Sequence, residues 1–303
     1  MKDYIKHDPW SIIEEGFDPA NNKISESLFS LGNGSFGQRA NFEEKYSGPS
    51  LQGNYIAGVY YPDKTRVGWW KNGYPEYFAK VLNAADWIGI GIAIEGEELD
   101  LHLCEVSEFR RELNMKEGWL ERSFTAELPS GKRIKVKAKR FCSMARSKVG
   151  AISYEVTPIN FSCDVVITPF IDADVMNSDS NYDEKFWIEQ EKKAEIDFSY
   201  VIASTKKTDF WVCTAMSYEI KGAVERKSIE TNERLNYVEV KETLSVRKGE
   251  SFIIYKYASN VSTLDADRSE LLTQCRNNVA GAQNSGYAEL LKEQIKAWAD
   301  KWE

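Results

Sequence analysis

Histidine is nearly absent from this chain of 303 residues, which contains only His7 and His102. A histidine-dependent triad or a multi-histidine metal centre would need one of these two, and neither lies in a recognisable motif. Cysteine is also scarce: Cys104, Cys142, Cys163, Cys213 and Cys275 are odd in number and widely spaced, and four of them fall in apolar, strand-like runs. We therefore expect reduced core thiols in a reducing compartment, with no disulfide framework and no metal site.

Long apolar runs are missing as well. No stretch reaches the roughly 18 apolar residues of a membrane span, and the N-terminus lacks the apolar segment of a signal peptide. We therefore expect a cytoplasmic protein. The charge balance of 39 Lys and Arg against 47 Asp and Glu gives a net charge of −8. Because an acidic surface repels phosphate backbones and anionic lipid, we expect neither nucleic acid nor membrane as a partner.

A hydrophobic period of two dominates the chain from about residue 24 to 260. In the segment 88–94, four isoleucines alternate with glycine and alanine; a turn at 95–98 follows, and Leu99, Leu101 and Leu103 alternate again, which predicts a hairpin. Such strands recur at roughly ten-residue spacing, with short turns and no helices between them. The pattern predicts a mainly β fold, a large antiparallel β-sandwich. Arg133, Lys135, Lys137 and Lys139 alternate with apolar residues, which predicts a solvated face of one strand.

The C-terminal residues follow a helical period. The segment 265–283 predicts one helix, and a second carries an apolar stripe at steps of three and four residues. The stripe is Ala288, Leu291, Ile295, Trp298 and Trp302. It can pack on the chain's own sandwich, or it can mark the place where a further domain begins.

Two motif-like patterns have ordinary explanations. Gly32, Gly34 and Gly37 match the glycine spacing of a dinucleotide-binding loop, but no βαβ unit follows. We expect these glycines to supply positive φ in a tight turn between strands. Asp179, Asn181 and Asp183 copy the first ligands of a calcium loop. The required glycine is replaced by Glu184 and the twelfth ligand by Gln190, so a polar loop is favoured, with a weak cation site as the alternative.

The segment 60–77 is rich in aromatic residues and is interrupted by prolines and glycines. Trp69, Trp70, Lys71 and Asn72 combine flat rings with cationic and amide donors, which suits stacking on a sugar ring and hydrogen bonding to its hydroxyls. These four residues are the predicted carbohydrate contacts, and the turn 33–39 is the second choice. The alternative is that the rings fasten a long loop to the sandwich or to another domain.

Three stretches together resemble the N-terminal region of glycoside hydrolase family 65, closest to its maltose, trehalose and kojibiose phosphorylases: ESLFSLGNGSFGQRANFEEKYSG, LQGNYIAGVYYPDKTRVGWWKNGYPEYFAKVLNAADWIGI and the terminal IKAWADKWE. The resemblance implies a galactose-mutarotase-like supersandwich at 1–264. It also implies linker helices at 265–303 that lead to an (α/α)6 barrel beyond the chain. The barrel and a second subunit of a homodimer are then the expected protein partners.

In that family the chemistry is inverting phosphorolysis of an α-linked glucose disaccharide, with inorganic phosphate as co-substrate and no cofactor. The resemblance implies that the catalytic glutamate lies in the barrel, beyond Glu303, so no residue here is expected to be catalytic. We expect this chain to be an inactive fragment that supports the barrel and the subunit interface. An autonomous carbohydrate-binding sandwich module is the alternative.

Overall fold

The computed structural model describes residues 4–65, 73, 75–178 and 185–303. Within these residues the fold is mainly β, and the strands of each sheet pair antiparallel. Two longer helices follow the last strand. The predicted fold class is thereby confirmed.

The described strands are, in chain order, β1 (Ile5–His7), β2 (Ser11–Glu15), β3 (Leu31–Gly32), β4 (Phe36–Gln38), β5 (Asn54–Ile56), β6 (Tyr60–Lys64), β7 (Tyr77–Val81), β8 (Ile90–Ile94), β9 (Glu97–Glu98), β10 (Glu105–Asn114), β11 (Trp119–Glu127), β12 (Arg133–Cys142), β13 (Val149–Pro158), β14 (Cys163–Asp172), β15 (Trp187–Lys193), β16 (Ser199–Thr205), β17 (Trp211–Gly222), β18 (Glu225–Arg234), β19 (Tyr237–Val246) and β20 (Phe252–Ser262). The helices are α1 (Asn22–Leu28), α2 (Leu271–Ser285) and α3 (Tyr287–Trp302), with a short 3₁₀ helix at Arg268–Glu270.

Two sheets form the body of the described structure. The large sheet has ten strands in the order β1-β2-β10-β11-β12-β13-β20-β17-β16-β15, and the small sheet has five in the order β18-β19-β14-β8-β9. Two lesser sheets, β3-β4-β5 and β6-β7, complete the set among the described residues. Neighbouring strands are mostly consecutive in the chain, as the short predicted turns require.

An apolar core lies between the small sheet and the face of the large sheet that we call the inner face. Contributors from the large sheet include Phe124, Val136, Ile152 and Phe252, and those from the small sheet include Ile92, Val165 and Val240. All are nearly inaccessible to solvent. Alternation explains this arrangement, since every second side chain of a strand points to the same side.

Helices α2 and α3 lie on the opposite, outer face of the large sheet. Leu271, Cys275 and Val279 of α2 pack against β17 and β20, and Tyr287 and Leu290 of α3 pack against β11, β12 and β20. Beyond the helices this face is solvated: the side chains of Arg133, Lys135 and Lys137 are exposed, as predicted. The fourth residue of the predicted row, Lys139, is instead half-buried, with its Nζ 3.8 Å from the centre of the Trp119 ring.

A buried ionic cluster interrupts the apolar inner face. Arg122 donates to Glu43 at 2.6 Å and to both carboxylate oxygens of Glu44 at 2.5 and 2.6 Å, and Arg140 pairs with the other Glu43 oxygen. Tyr154 donates to Glu44 at 3.0 Å. Burial by itself would raise the pKa of Glu43, but Arg140 and Arg122 outweigh it and lower the pKa to about 2. The cluster fixes the segment 43–44 against the large sheet.

Several elements differ from the sequence predictions. Helix α1 was not predicted, because its seven residues are too few to show a helical period. Strand β10 was missed because the inward-facing Arg111 breaks its apolar alternation. Strand β18 was missed because nearly all of its side chains are exposed on both sides of the sheet. The β8–β9 hairpin turns at Glu95 and Gly96, both at positive φ, and β9 ends before the predicted leucines.

The five cysteines are all free thiols, as predicted, and Cys142, Cys213 and Cys275 are buried. No helix in the described part of the chain has the length and apolar character needed to cross a membrane. The division of the chain at residue 264 stays a prediction.

Candidate functional site

The four predicted sugar contacts, Trp69, Trp70, Lys71 and Asn72, lie outside the described residues. In the sequence they stand between β6 and β7. These two strands form a two-stranded antiparallel ribbon, in which Tyr60 lies opposite Val81 and Lys64 lies opposite Tyr77. The prolines and glycines of segment 60–77 argue against a plain strand, yet the strand β6 contains Pro62. A proline is tolerated here because each strand of a two-stranded ribbon is an edge strand.

One side of the ribbon is an exposed, mainly apolar row that also includes Lys64. Tyr60, Tyr77 and Val81 remain 43%, 50% and 55% exposed, and Pro62 and Ala79 lie between them on the same side. The opposite side attaches the ribbon to the body: Tyr61 is buried against Phe186, with ring centroids 4.4 Å apart. The ribbon is thus attached to the body on one side and exposes aromatic and aliphatic side chains on the other.

The second predicted segment, the turn 33–39, is held by the side chain of Asn33. Its Oδ1 accepts hydrogen bonds from the N–H groups of Ser35 and Phe36, and its Nδ2 donates to the carbonyls of Ser143 and Ser147 at 2.7 and 3.0 Å. Of the three motif glycines, only Gly34 adopts positive φ, at 84°. Gly32 and Gly37 instead face each other across the β3–β4 pair, which corrects the prediction for these two.

The structure brings the ribbon and this turn together. A groove of about 470 Å³, which we call the glycine groove, has Gly32, Gly34 and Gly37 on one side and Tyr60, Ala79 and Val81 on the other. Its floor is the end of β5 and the residues after it. The two segments singled out from the sequence therefore border one depression, although only the ribbon strands and not its connecting residues are described.

A more polar hollow of about 600 Å³ adjoins the glycine groove and shares Tyr55, Ala79 and Val81 with it. Arg39 and Gln52 contribute cationic and amide groups to this hollow. The Arg39 guanidinium is positioned by the carbonyl of Leu51, which accepts from its Nε at 2.7 Å.

The two hollows are built for contact rather than for proton transfer. Their described linings offer aromatic, amide and cationic groups and include no aspartate or glutamate. General acid catalysis of glycoside cleavage needs a carboxylic acid beside the leaving oxygen. What the described groups can do is stack on a ring, accept or donate hydrogen bonds, and pack against another protein surface.

A larger groove, of about 740 Å³, crosses the outward side of the small sheet and was not anticipated. Its floor is low because the outward positions of the β8 segment are Gly89, Gly91 and Ala93, and the Phe170 ring lies directly over Gly89. Tyr237 stacks on Phe170 with centroids 5.5 Å apart, and the Arg234 guanidinium covers Tyr237 at 3.9 Å. In the sequence, the glycines and the alanine that alternate with the four isoleucines of 88–94 are the feature from which this groove could have been predicted.

Two carboxylic acids at one end of this groove have shifted pKa values. Burial raises the pKa of both Asp86 and Asp172, and their backbones form an isolated bridge to each other. Beneath them, Lys256 of the large sheet is fully buried and donates to the carbonyls of Gly89 and Phe170 at 2.8 and 2.7 Å. Burial lowers the pKa of Lys256 to about 7, against the opposing influence of Asp86. Lys256 thereby joins the large sheet to the small one.

No metal site emerges in the part of the chain that the structure describes, since no three His, Cys, Asp or Glu side chains cluster suitably there. The calcium-loop residues Asp179, Asn181 and Asp183 lie outside that part, so the weak cation site stays a prediction.

Comparison with known proteins matches residues 12–301 to the model of the glycosyl hydrolase family 65 N-terminal domain. The chain is 39% identical to maltose phosphorylase of Bacillus subtilis (strain 168), over 97% of this chain and 39% of that protein. It is 31% identical to alpha,alpha-trehalose phosphorylase of Thermoanaerobacter brockii, again over 97% of this chain and 39% of the relative. The chain thus spans about two fifths of the length of these relatives.

A solved structure named as a kojibiose phosphorylase candidate from human microbiome shares the fold. It superposes on 97% of this chain with a TM-score of 0.86 and 23% sequence identity, and the match covers 38% of that structure.

Proposed function

We propose that this chain is the non-catalytic part of an inverting disaccharide phosphorylase. The premise is that the chain belongs to glycosyl hydrolase family 65, as its N-terminal domain. The observation that supports this most directly is the 39% identity to a maltose phosphorylase along 97% of the chain. A maltose-like α-glucoside is the substrate class we infer, with inorganic phosphate as the second substrate.

The proposed reaction needs one acid and one nucleophile. A carboxylic acid protonates the glycosidic oxygen, while phosphate attacks the anomeric carbon from the opposite side and gives β-glucose 1-phosphate and a free sugar. Because phosphate is already a nucleophile, no second carboxylate is required to activate water. Both the acid and the phosphate-binding groups belong, in this proposal, to polypeptide outside these 303 residues.

The role of this chain is then to support the catalytic domain and to contribute to the interface of a homodimer. The exposed row of the ribbon and the glycine groove suit such contacts, because aromatic side chains beside small residues allow close packing of another surface. The Trp69 to Asn72 segment joins the two ribbon strands, so a domain seated on the ribbon would bring that segment to the margin of its sugar site.

Phosphorolysis assays test the proposal. The protein extended by its downstream coding sequence should release glucose 1-phosphate from maltose and phosphate, and the 303-residue chain alone should release none. Trehalose and kojibiose, assayed in parallel, identify the linkage. Robust turnover by the 303-residue chain, or an extended protein that cleaves none of the three with phosphate, would contradict the proposal.

An autonomous carbohydrate-binding module is the second candidate, favoured by the exposed Tyr60, Tyr77 and Val81 beside an apolar groove. Isothermal calorimetry of the 303-residue chain with maltose separates the two. Millimolar or tighter binding that disappears in Trp69→Ala/Trp70→Ala and persists in Leu235→Ala, an exposed site on the β18–β19 turn, would favour the module. No measurable heat would favour the supporting role.

A further inference from the structure

Helix α3 has two adjacent rows of side chains near the sandwich, of which one is buried and the other is only partly covered. Tyr287, Leu290 and Gln294 are buried against the large sheet. The predicted stripe lies beside this row: Leu291, Ile295 and Trp298 are half-buried, and Ala288 and Trp302 are exposed. The contact of α3 with the sandwich is therefore displaced by about one residue from the stripe.

The buried row is fixed by polar contacts. Gln294 donates to the Gly118 carbonyl and accepts from the Met144 N–H, both at 2.7 Å, and Glu293 accepts from Arg146 at 2.6 and 2.8 Å. These bonds define one rotational setting of the helix. Because of this rotational setting, the stripe lies at the edge of the contact between α3 and the sandwich.

The stripe ends in a cluster of three tryptophans, Trp10, Trp298 and Trp302, which we call the tryptophan patch. Trp302 stacks on Trp298 with centroids 5.9 Å apart and meets Trp10 edge to face at 5.0 Å. Its Nε1 donates to the Lys116 carbonyl at 3.2 Å, so its position is defined. Trp10 and Trp302 nevertheless remain 40% and 50% exposed. Fixed, half-exposed indoles are typical anchors of protein interfaces.

The position of the patch indicates what covers it. Trp302 immediately precedes Glu303, so any polypeptide that continues the chain starts within reach of the patch. The relatives are longer than this chain, which spans 39% of the maltose phosphorylase, and the matched model describes the N-terminal domain of the family. A covalently attached segment has a high effective concentration at such a surface, which favours it over a separate molecule.

We propose that the segment following Glu303 folds back onto the tryptophan patch and the stripe of α3, so that the patch sets the orientation of the next domain. The inference rests on the proposed function only in assuming that the parent protein is longer. The stripe has apolar residues at steps of three and four, and such a surface accepts an apolar helix or turn of the segment that follows Glu303. Trp10, from the other end of the sequence, becomes part of the domain contact.

Hydroxyl-radical footprinting compares the extended protein with the 303-residue chain. Oxidation of Trp10 and Trp302 should fall several-fold in the extended protein, whereas Leu103 and Leu235, exposed elsewhere, should react equally in both. Equal oxidation of the two tryptophans would overturn the proposal. A second result would also overturn it: the 303-residue chain dimerises, Trp302→Ala abolishes that dimer, and the extended protein still dimerises through the tryptophan patch. A second copy of the chain would then be the occupant of the patch.

A variant provides an independent test. Trp10→Ala in the extended protein leaves the polar contacts of α3 in place and should increase proteolysis just after residue 303 several-fold, while Ile188→Ala, exposed on β15, should not. Unchanged proteolysis in Trp10→Ala would contradict the proposal. Both readouts are independent of activity, so an inactive extended protein with protected tryptophans would refute the proposed function alone.

Discussion

The two faces of the large sheet are stabilised in different ways. The inner face meets the small sheet through a continuous apolar core into which charged groups are fully enclosed, including Arg122, Arg140 and Lys256. The outer face is covered in part by α2 and α3 and is otherwise open to solvent, with a row of charged side chains along β12. The same ten strands thus support an apolar interior on one side and a partly solvated surface that carries α2 and α3 on the other.

The difference shows where charge matters in this domain. Ion pairs on the outer row, such as Lys137 with Glu121 at 3.4 Å, are solvated and contribute little. The Arg122 pairs are enclosed, so removing one partner leaves uncompensated charge in a medium that solvates it poorly. Three substitutions sharpen this comparison.

Arg122→Met should have the largest effect, because it leaves Glu44 buried without its paired cation and Glu43 with Arg140 alone. We expect a loss of about 3–5 kcal/mol in the free energy of unfolding, measured by urea denaturation. Lys137→Met on the outer row should lose less than about 1 kcal/mol. If both variants lose the same amount, the two faces do not differ as described.

Gly118→Ala tests how the outer face holds α3. A Cβ at Gly118 would lie 1.8 Å from Nε1 of Trp298, whereas one at Gly131 would meet nothing within 4 Å, and both glycines have positive φ, at 68° and 78°. Gly131→Ala therefore measures the backbone strain alone. The excess loss in Gly118→Ala should be about 1–3 kcal/mol, with a changed near-ultraviolet circular dichroism of the tryptophans. No excess would mean that Trp298 does not pack there.

Lys256→Met tests the inner face through pH. Since the folded-state pKa of Lys256 is about 7, below its ordinary value of 10.5, the unfolded chain binds more protons between these values. Lys256 should therefore contribute an increment to the free energy of unfolding that rises with pH across this window, by up to about 1.4 kcal/mol per pH unit. The increment is measured as the difference between wild type and variant, because burial raises the pKa of the Cys142 thiol to about 12 and makes it titrate in the opposite sense in both proteins. Lys256→Met should lack this increment between pH 8 and 9, and Lys135→Met on the outer face should retain it. A variant with the wild-type slope would disprove the assignment.

Alternation in the sequence predicted the strands in which apolar side chains occupy every second position and are buried, such as the strands that contain 134–138 and 152–156. It failed where that separation breaks down. Arg111 of β10 faces inward as a charge, and β18 has no buried side to reveal. A local pattern reports burial through apolar side chains, so it weakens where a buried position holds a charge and disappears where a strand is uncovered.

The candidate site was predictable only as separate parts. Glycines at 32–37 and aromatic residues at 60–77 were visible in the sequence, but their shared groove depends on how β5 and the ribbon pack. The groove on the small sheet needed the alignment of β8, β14 and β19. Nothing in the order of residues placed Phe170 above Gly89.

The sequence by itself determined that the chain is a β protein with two C-terminal helices, because periods of two and of about 3.6 are set by neighbouring residues. Only the tertiary structure decided that the turn 247–250 carries the chain from β19 in the small sheet to β20 in the large one, and that α3 docks through Tyr287 and Gln294 and leaves its stripe half-exposed. The physical reason is that sheet membership and helix rotation are fixed by hydrogen bonds and packing between residues far apart in the sequence, such as Gln294 and Gly118.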